Sequence, residues 1–292
     1  MRRSYPILLI VALIAGAARG QVQNPSPMVE TTRAHTRVQP EEVRLQTIDA
    51  GLPVSLFIAE GVSPGELDLL IHFMGAEYVP AQAVRTSRSH DVLAVVNLGS
   101  GSGVFERPFR EDGTFARLLE AIATGVAGVV ARPARFRRID LSAFSAGYGA
   151  VRAILSEDAD RIDGILLLDA LHTGYVPDRK VLAEGGRLDT TLLAPFVRFA
   201  KRAVAGETSF VLTHSEIFPG TFASTTETAD YLVRELSLER AAVLKWGPVG
   251  MQQLSEVHAG GLVMLGFAGN TAPDHVDHLH GMGAFLALLN RP

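Results

Sequence analysis

From about residue 44 onward, short runs of Val, Ile, Leu and Phe alternate with longer segments whose apolar residues recur every three to four positions. The runs are VSLFIAEG (54–61), LDLLIHFMG (67–75), DVLAVVNLG (91–99), RRIDLSAFS (137–145), DGILLLDAL (163–171), SFVLTHS (209–215) and GLVMLGFAG (261–269). Several are apolar at nearly every position, the pattern of strands buried on both faces, and strands that alternate with helical segments predict a mostly parallel central sheet flanked by helices on both faces. Among the helical segments, 113–131 places Phe115, Leu118, Leu119, Ile122 and Val126 on one stripe, and Ser224-x-x-Glu227 makes a capping box ahead of TADYLVREL. The longest insertion of the second half, 173–208, carries Pro177, Gly185 and Gly186 and then an amphipathic piece from Thr190. It is expected as either a crossover helix or a small cap. No repeat or linker interrupts 44–292, which is expected to be a single domain.

The first 43 residues break this pattern. MRRSYPILLIVALIAGAARGQ combines Arg2 and Arg3, an uncharged apolar run, and small residues at Ala18 and Gly20. A run of that length is short for a membrane span and fits a signal peptide over 1–20, with cleavage before Gln21 and an exported product. The alternative is a retained anchor. Residues 21–43 are polar, with Pro25 and Pro27, and are expected to form a flexible leader. Composition adds little: the formal charge is -4, no basic face points to nucleic acid, and the absence of cysteine excludes disulfides.

The chemistry concentrates at two places. The first is IDLSAFSAGYGAVRAIL (139–155), where an apolar strand runs into Ala143-Phe144-Ser145-Ala146-Gly147 and then into a helical sequence. A serine flanked at two positions on either side by small residues can occupy a tight strand-to-helix turn. Its hydroxyl then stands at the carboxyl edge of the sheet, next to the positive end of a helix. The bland alternative is a helix N-cap serine. The second place is PDHVDHLHGMG (273–283), which packs His275, His278 and His280 together with Asp274 and Asp277.

With this order of elements the chain resembles the α/β-hydrolase family. The likeness runs from roughly residue 50 onward, with close motif agreement at three places: the Ser145 turn, His72-Phe73-Met74-Gly75 at the end of an early strand, and the histidine-rich stretch after the last strand. Ala143 stands where the family usually has glycine. The resemblance implies a nucleophilic serine at Ser145, an oxyanion hole from the backbone of Ala146 and of Phe73 or Met74, and an acid followed by a histidine later in the chain. His72 itself is read as structural.

The sequence leaves the histidine and the acid open. At about 100° per residue, His275 and His278 lie about 60° apart on a helix and His280 about 140° from His275, so the histidines do not all converge on one ion. Extending the stripe of Leu279, Met282, Phe285, Leu286 and Leu289 backwards puts His275 at its centre, His278 on a flank and His280 outside. His275 is therefore the first choice of base and His278 the alternative. For the acid, Asp169 ends the strand after the nucleophile, whereas the commoner family position, one strand later, offers Glu216; Asp169 is preferred. His172 and His214 are expected to be local structural partners, and Arg107 and Arg110 solvated charges.

The expectation is an exported serine hydrolase that cleaves carboxylic esters, small or polymeric, through Ser145, His275 and Asp169. No cofactor or metal is called for. Two other classes stay open: a non-catalytic binding protein on the same fold, and a metal-dependent hydrolase built on His275 and His278.

Overall fold

The computed structural model describes residues 34–62 and 65–289, so the predicted signal peptide, 1–20, lies outside the described residues. The strands are β1 (Gln46–Asp49), β2 (Pro53–Ile58), β3 (Glu66–Phe73), β4 (Val92–Val96), β5 (Arg135–Phe144), β6 (Gly164–Leu168), β7 (Tyr175–Val176), β8 (Arg187–Leu188), β9 (Ser209–His214), β10 (Ala241–Trp246), β11 (Gln252–Ala259) and β12 (Leu262–Phe267). The α-helices are α1 (Tyr78–Ser87), α2 (Ser102–Phe109), α3 (Thr114–Val130), α4 (Tyr148–Glu157), α5 (Ala194–Val204), α6 (Thr225–Glu235), α7 (Ala272–His280) and α8 (Met282–Leu286).

Ten strands form one sheet in the order β1-β2-β4-β3-β5-β6-β9-β12-β11-β10. The six from β4 to β12 pair in parallel, and antiparallel strands flank them on both sides. Each predicted apolar run supplies one strand of this sheet. Successive side chains of a strand face opposite ways, and both directions are apolar here. Ile165 and Leu167 of β6 enter a core with Phe105, Leu118, Phe196 and Phe199, whereas Leu166 and Leu168 enter a second with Phe267, Leu279 and Phe285. Fully burying each such side chain stabilises the fold by about 1.5–3 kcal/mol, so the parallel middle is its most strongly determined part.

The edges were less legible. Strands β10 and β11 escape a search for apolar runs because β10 is mostly exposed, with Leu244 and Trp246 at 75% and 72%. The 173–208 insertion contains both a hairpin, β7–β8, and the crossover helix α5, which packs against α4, β9 and β12. Residues 101–110, which carry Arg107 and Arg110, include α2, packed so closely on α4 that a Cβ at Gly149 would lie 2.1 Å from the Ser102 carbonyl oxygen. No single described helix is long and apolar enough to cross a membrane.

Part of the predicted leader is held in place. From residue 34 it runs along α7, where His35 Nδ1 donates to Asp277 Oδ2 at 2.8 Å and the Arg37 guanidinium pairs with the same carboxylate. Arg37 also donates to the Pro273 carbonyl at 2.8 Å, and the Val38 N–H donates to His280 Nδ1 at 3.0 Å. Asp277 is fully buried, and a buried carboxylate needs such partners. Over residues 34–43 the flexible-leader expectation is therefore corrected to a strap.

Candidate active site

Three neighbouring strands of the sheet, β3, β5 and β6, each end in a residue with left-handed backbone: Met74 (φ 72°), Ser145 (φ 50°) and Asp169 (φ 46°). This conformation costs a non-glycine residue about 1–2 kcal/mol, and its recurrence on one edge marks a place where the surrounding packing overrides local preference. At Ser145 that packing is visible. The turn from β5 into α4 brings Gly147 against the end of β3, where a Cβ would sit 2.3 Å from the Phe73 carbonyl oxygen. Ala143, two positions before the serine, is fully buried. Small residues at 143 and 147 are thus required, as the sequence pattern implied, and the half-buried Ser145 is turned out at the head of the helix.

Asp169 is 2% exposed, and its carboxylate accepts four hydrogen bonds: from the Ser215 N–H at 2.9 Å, the Ser215 hydroxyl at 2.8 Å, the Thr225 hydroxyl, and His275 Nδ1 at 2.7 Å. Burial works against its ionisation, but His278 nearby and the hydrogen bonds of His275 and Thr225 outweigh it and hold the carboxyl well below the usual carboxylate range. Because an ionised carboxylate only accepts, His275 carries its proton on Nδ1, which leaves Nε2 as a lone pair. That nitrogen makes no hydrogen bond among the described residues. The imidazole lies over the ring of Phe144, the residue before Ser145, at 4.5 Å between centroids and 31° between planes. The strained turn at Ser145 and the His275–Asp169 pair thus meet on one edge.

Glu216, the alternative acid, is exposed, and among the described residues it engages through its backbone N–H, bonded to the Gly269 carbonyl. His278, the alternative base, is 1% exposed, with Nδ1 2.7 Å from the Thr213 hydroxyl and its ring edge-on to Phe267. The sequence-based projection is corrected here: His278, rather than His275, lies at the centre of the buried stripe, and His275 sits at its lip with 23% of its side chain exposed. The phase was lost because α7 stops at His280 and α8 begins afresh at Met282, so apolar positions on α8 do not extrapolate onto α7. The start of α7 is fixed by a capping box between Thr271 and Asp274. The group of described residues whose metal-ligand atoms lie within 4.8 Å of one another is His35, Asp274 and Asp277, to which neither His275 nor His278 belongs.

The expected oxyanion donors divide. Ala146 sits directly at the head of the turn into α4. Met74, however, gives its N–H to the Val96 carbonyl at 3.2 Å, and Phe73 is paired inside β3 on both sides. The expectation for both is corrected, since their backbone belongs to the sheet. His72 explains the turn: fully buried, it donates from Nε2 to the Met74 carbonyl at 2.8 Å and accepts at Nδ1 from Ser142 at 2.7 Å. Burial pushes its pKa down to about 4, so it is a neutral clamp. His214 closes its strand, taking a hydrogen bond from Arg240 at Nε2, with burial pushing its pKa down to about 3. Arg107 and Arg110 are exposed, Arg110 pairing with Glu106 at 2.7 Å.

No protein-family model matches the chain, and no curated protein matches its sequence. Solved structures do match its fold. The enterobactin esterase of Shigella flexneri, determined in the presence of enterobactin, superposes with a TM-score of 0.53 at 12% identity, covering 86% of this chain and 60% of that one. The ferric enterobactin esterase of Salmonella typhimurium gives 0.52 at 12% identity, over 87% and 59%. A feruloyl esterase module from Clostridium thermocellum gives 0.47 at 11% identity, over 92% of both chains. The chain spans about three fifths of the length of the two enterobactin esterases. It has the α/β-hydrolase fold, which it shares with these two enterobactin esterases.

Proposed function

We propose that the protein is a serine esterase in which Ser145 attacks an ester carbonyl, His275 Nε2 takes the serine proton and returns it to the leaving alcohol, and Asp169 holds the imidazole. The observation that carries this reading is the juxtaposition of a left-handed serine at a strand-to-helix turn with a His–Asp pair whose imidazole packs on the residue before that serine. A serine hydroxyl is a weak nucleophile near neutrality and needs such a base. Asp169 keeps the proton on Nδ1 and favours the imidazolium formed during attack, without itself taking a proton. In this reading the Ala146 N–H and the positive end of the turn into α4 stabilise the oxyanion. Collapse of the tetrahedral intermediate expels the alcohol and leaves an acyl group on Ser145. Water, deprotonated by the same Nε2, then releases the acid.

The substrate in this reading is a carboxylic ester, and the site of action is outside the cytoplasm, on the strength of residues 1–20. A fluorophosphonate probe tests the chemistry. Wild-type protein is expected to label at Ser145 and Ser145→Ala protein not at all, with labelling indifferent to a chelator. An unlabelled but folded wild type would favour a binding protein, and ester hydrolysis abolished by the chelator a metal-dependent hydrolase.

A further inference from the structure

On either side of Ser145 in the chain, Phe144 and Tyr148 each set a ring against a histidine. Phe144 stacks on His275, and Tyr148 lies 5.7 Å from the ring of His172. His172 has no part in the triad. It follows Asp169 by three residues and donates from Nδ1 to the Ala223 carbonyl at 2.9 Å, while the Ala223 N–H donates to the Thr173 carbonyl at the same distance. The loop after β6 and the loop between β9 and α6 are thereby zipped together beside the dyad. Phe222, on the second loop, stands edge-on to His172 at 5.0 Å and 88°, and it is 42% exposed.

This arrangement fixes the chemistry that His172 offers. A carbonyl oxygen can only accept, so the ring proton is on Nδ1 and a neutral His172 has a lone pair at Nε2, which makes no hydrogen bond among the described residues. Burial lowers the pKa of the imidazole, against smaller raising effects from Ala223 and Asp169, which keeps it neutral. A half-buried acceptor lined by aromatic rings calls for a donor hydroxyl carried on a flat apolar group, because an unfilled buried acceptor is costly and a ring packs well against Phe222 and Tyr148. The cation over the Tyr148 ring, Arg152, is already bound by Glu106, and a carboxylate or phosphate would also face the charge of Asp169. A neutral phenol satisfies every one of these demands.

We propose that His172, flanked by Phe222 and Tyr148, is the recognition site for a phenolic hydroxyl, making the preferred substrate an ester that carries a hydroxylated aromatic ring. This rests on the triad reading, so the test reads both separately. Ser145 is labelled with a fluorophosphonate probe in the presence of para-cresol, its methyl ether or cyclohexanol. The cresol is expected to protect Ser145 at concentrations at least about tenfold lower than the ether or cyclohexanol, the scale of one hydrogen bond to a buried acceptor. In His172→Phe, which keeps a ring but loses the acceptor, the ratio between cresol and ether should fall to near one. In Phe222→Leu all three compounds should protect less, with the cresol-to-ether ratio retained. Labelling of the wild type with equal protection by cresol and ether overturns the proposal and leaves the triad standing, as does a preference that survives His172→Phe. Better protection by cyclohexanol overturns the aromatic part. Failure of the wild type to label at Ser145 overturns the triad and this proposal together.

Discussion

Two histidine–aspartate pairs of nearly equal length lie along β5, one against its middle and one beyond its carboxyl end, and they are built differently. At the middle of β5, His90 Nε2 lies 2.9 Å from Asp140 Oδ2, its Nδ1 is 2.9 Å from the Ser89 hydroxyl, and the Arg138 guanidinium binds the same carboxylate oxygen at 2.8 Å. Both side chains are at most 2% exposed. At the carboxyl end, His275 meets Asp169 at 2.7 Å, but only one of its nitrogens is used and about a quarter of the side chain is open. The first pair is closed by a third charged group and walled in, whereas the second ends in a lone pair next to a strained serine. Hydrogen-bond length does not separate a structural pair from a chemical one; the state of the second nitrogen and the backbone next to it do.

That contrast can be broken in graded ways. The largest expected effect is from His275→Gln, which should lower ester hydrolysis about 10⁴-fold at unchanged melting behaviour, the scale on which losing a triad member acts. His278→Gln should instead cost about 1–3 kcal/mol of stability by removing the buried hydrogen bond to Thr213, with activity per folded molecule falling less than about tenfold. Reversal of the two results in kinetic and denaturation assays would exchange the roles. Next, Asp169→Asn should lower activity about 10³-fold or more by spoiling the tautomer of His275. The matched Asp140→Asn should weaken only the fold, so a denaturant titration sees Asp140 and a rate assay sees Asp169.

The third effect is on acid stability. His72 has a folded pKa of about 4 against 6.5 for the free imidazole. The unfolded chain therefore binds more protons as pH falls from about 6.5, and stability declines until about pH 4, by up to about 3 kcal/mol at 1.36 kcal/mol per pH unit. A His72→Gln variant should show a flatter acid limb in urea titrations over that window, and an unchanged limb would remove His72 as its cause. Smaller still, Arg37→Ala should cost about 1–2 kcal/mol in a denaturation assay by depriving Asp277 of a cation. The smallest effect is a gain: Ser145→Gly relieves the left-handed backbone and should raise stability by about 1 kcal/mol while activity is lost. A variant less stable than wild type would show that the turn is not strained.

The sequence carried the parts of this molecule that depend on burial and local spacing. Apolar runs at nearly every position could belong only to the middle of a sheet, and the small residues around Ser145 announced a turn that larger ones cannot make. What it could not carry were relations between distant elements. The choice between His275 and His278 depended on a break after His280, and a continuous helical projection passes straight through it. Met74 was lost as a donor to a carbonyl of β4, a pairing invisible in its own neighbourhood. The alternating, mostly polar β11 and the exposed β10 bury too little to leave a signal. His172 could have been noticed as the third residue after Asp169, but its free nitrogen is settled only by the Ala223 carbonyl, 51 positions away.

The strap along α7 has a consequence for the order in which the molecule comes together. Its hydrogen bonds to Pro273, Asp277 and His280 join residues 236 to 242 positions apart, among the most distant contacts in the chain. Contacts that close so much chain carry a large entropic cost and form late, once the intervening chain is already organised. The helix that carries His275 is therefore clasped by the segment synthesised long before it, and ribosomal order runs opposite to assembly order at this point. A chain interrupted before residue 272 has Ser145, Asp169 and the strap in hand but lacks the helix that Asp169 and the strap both hold.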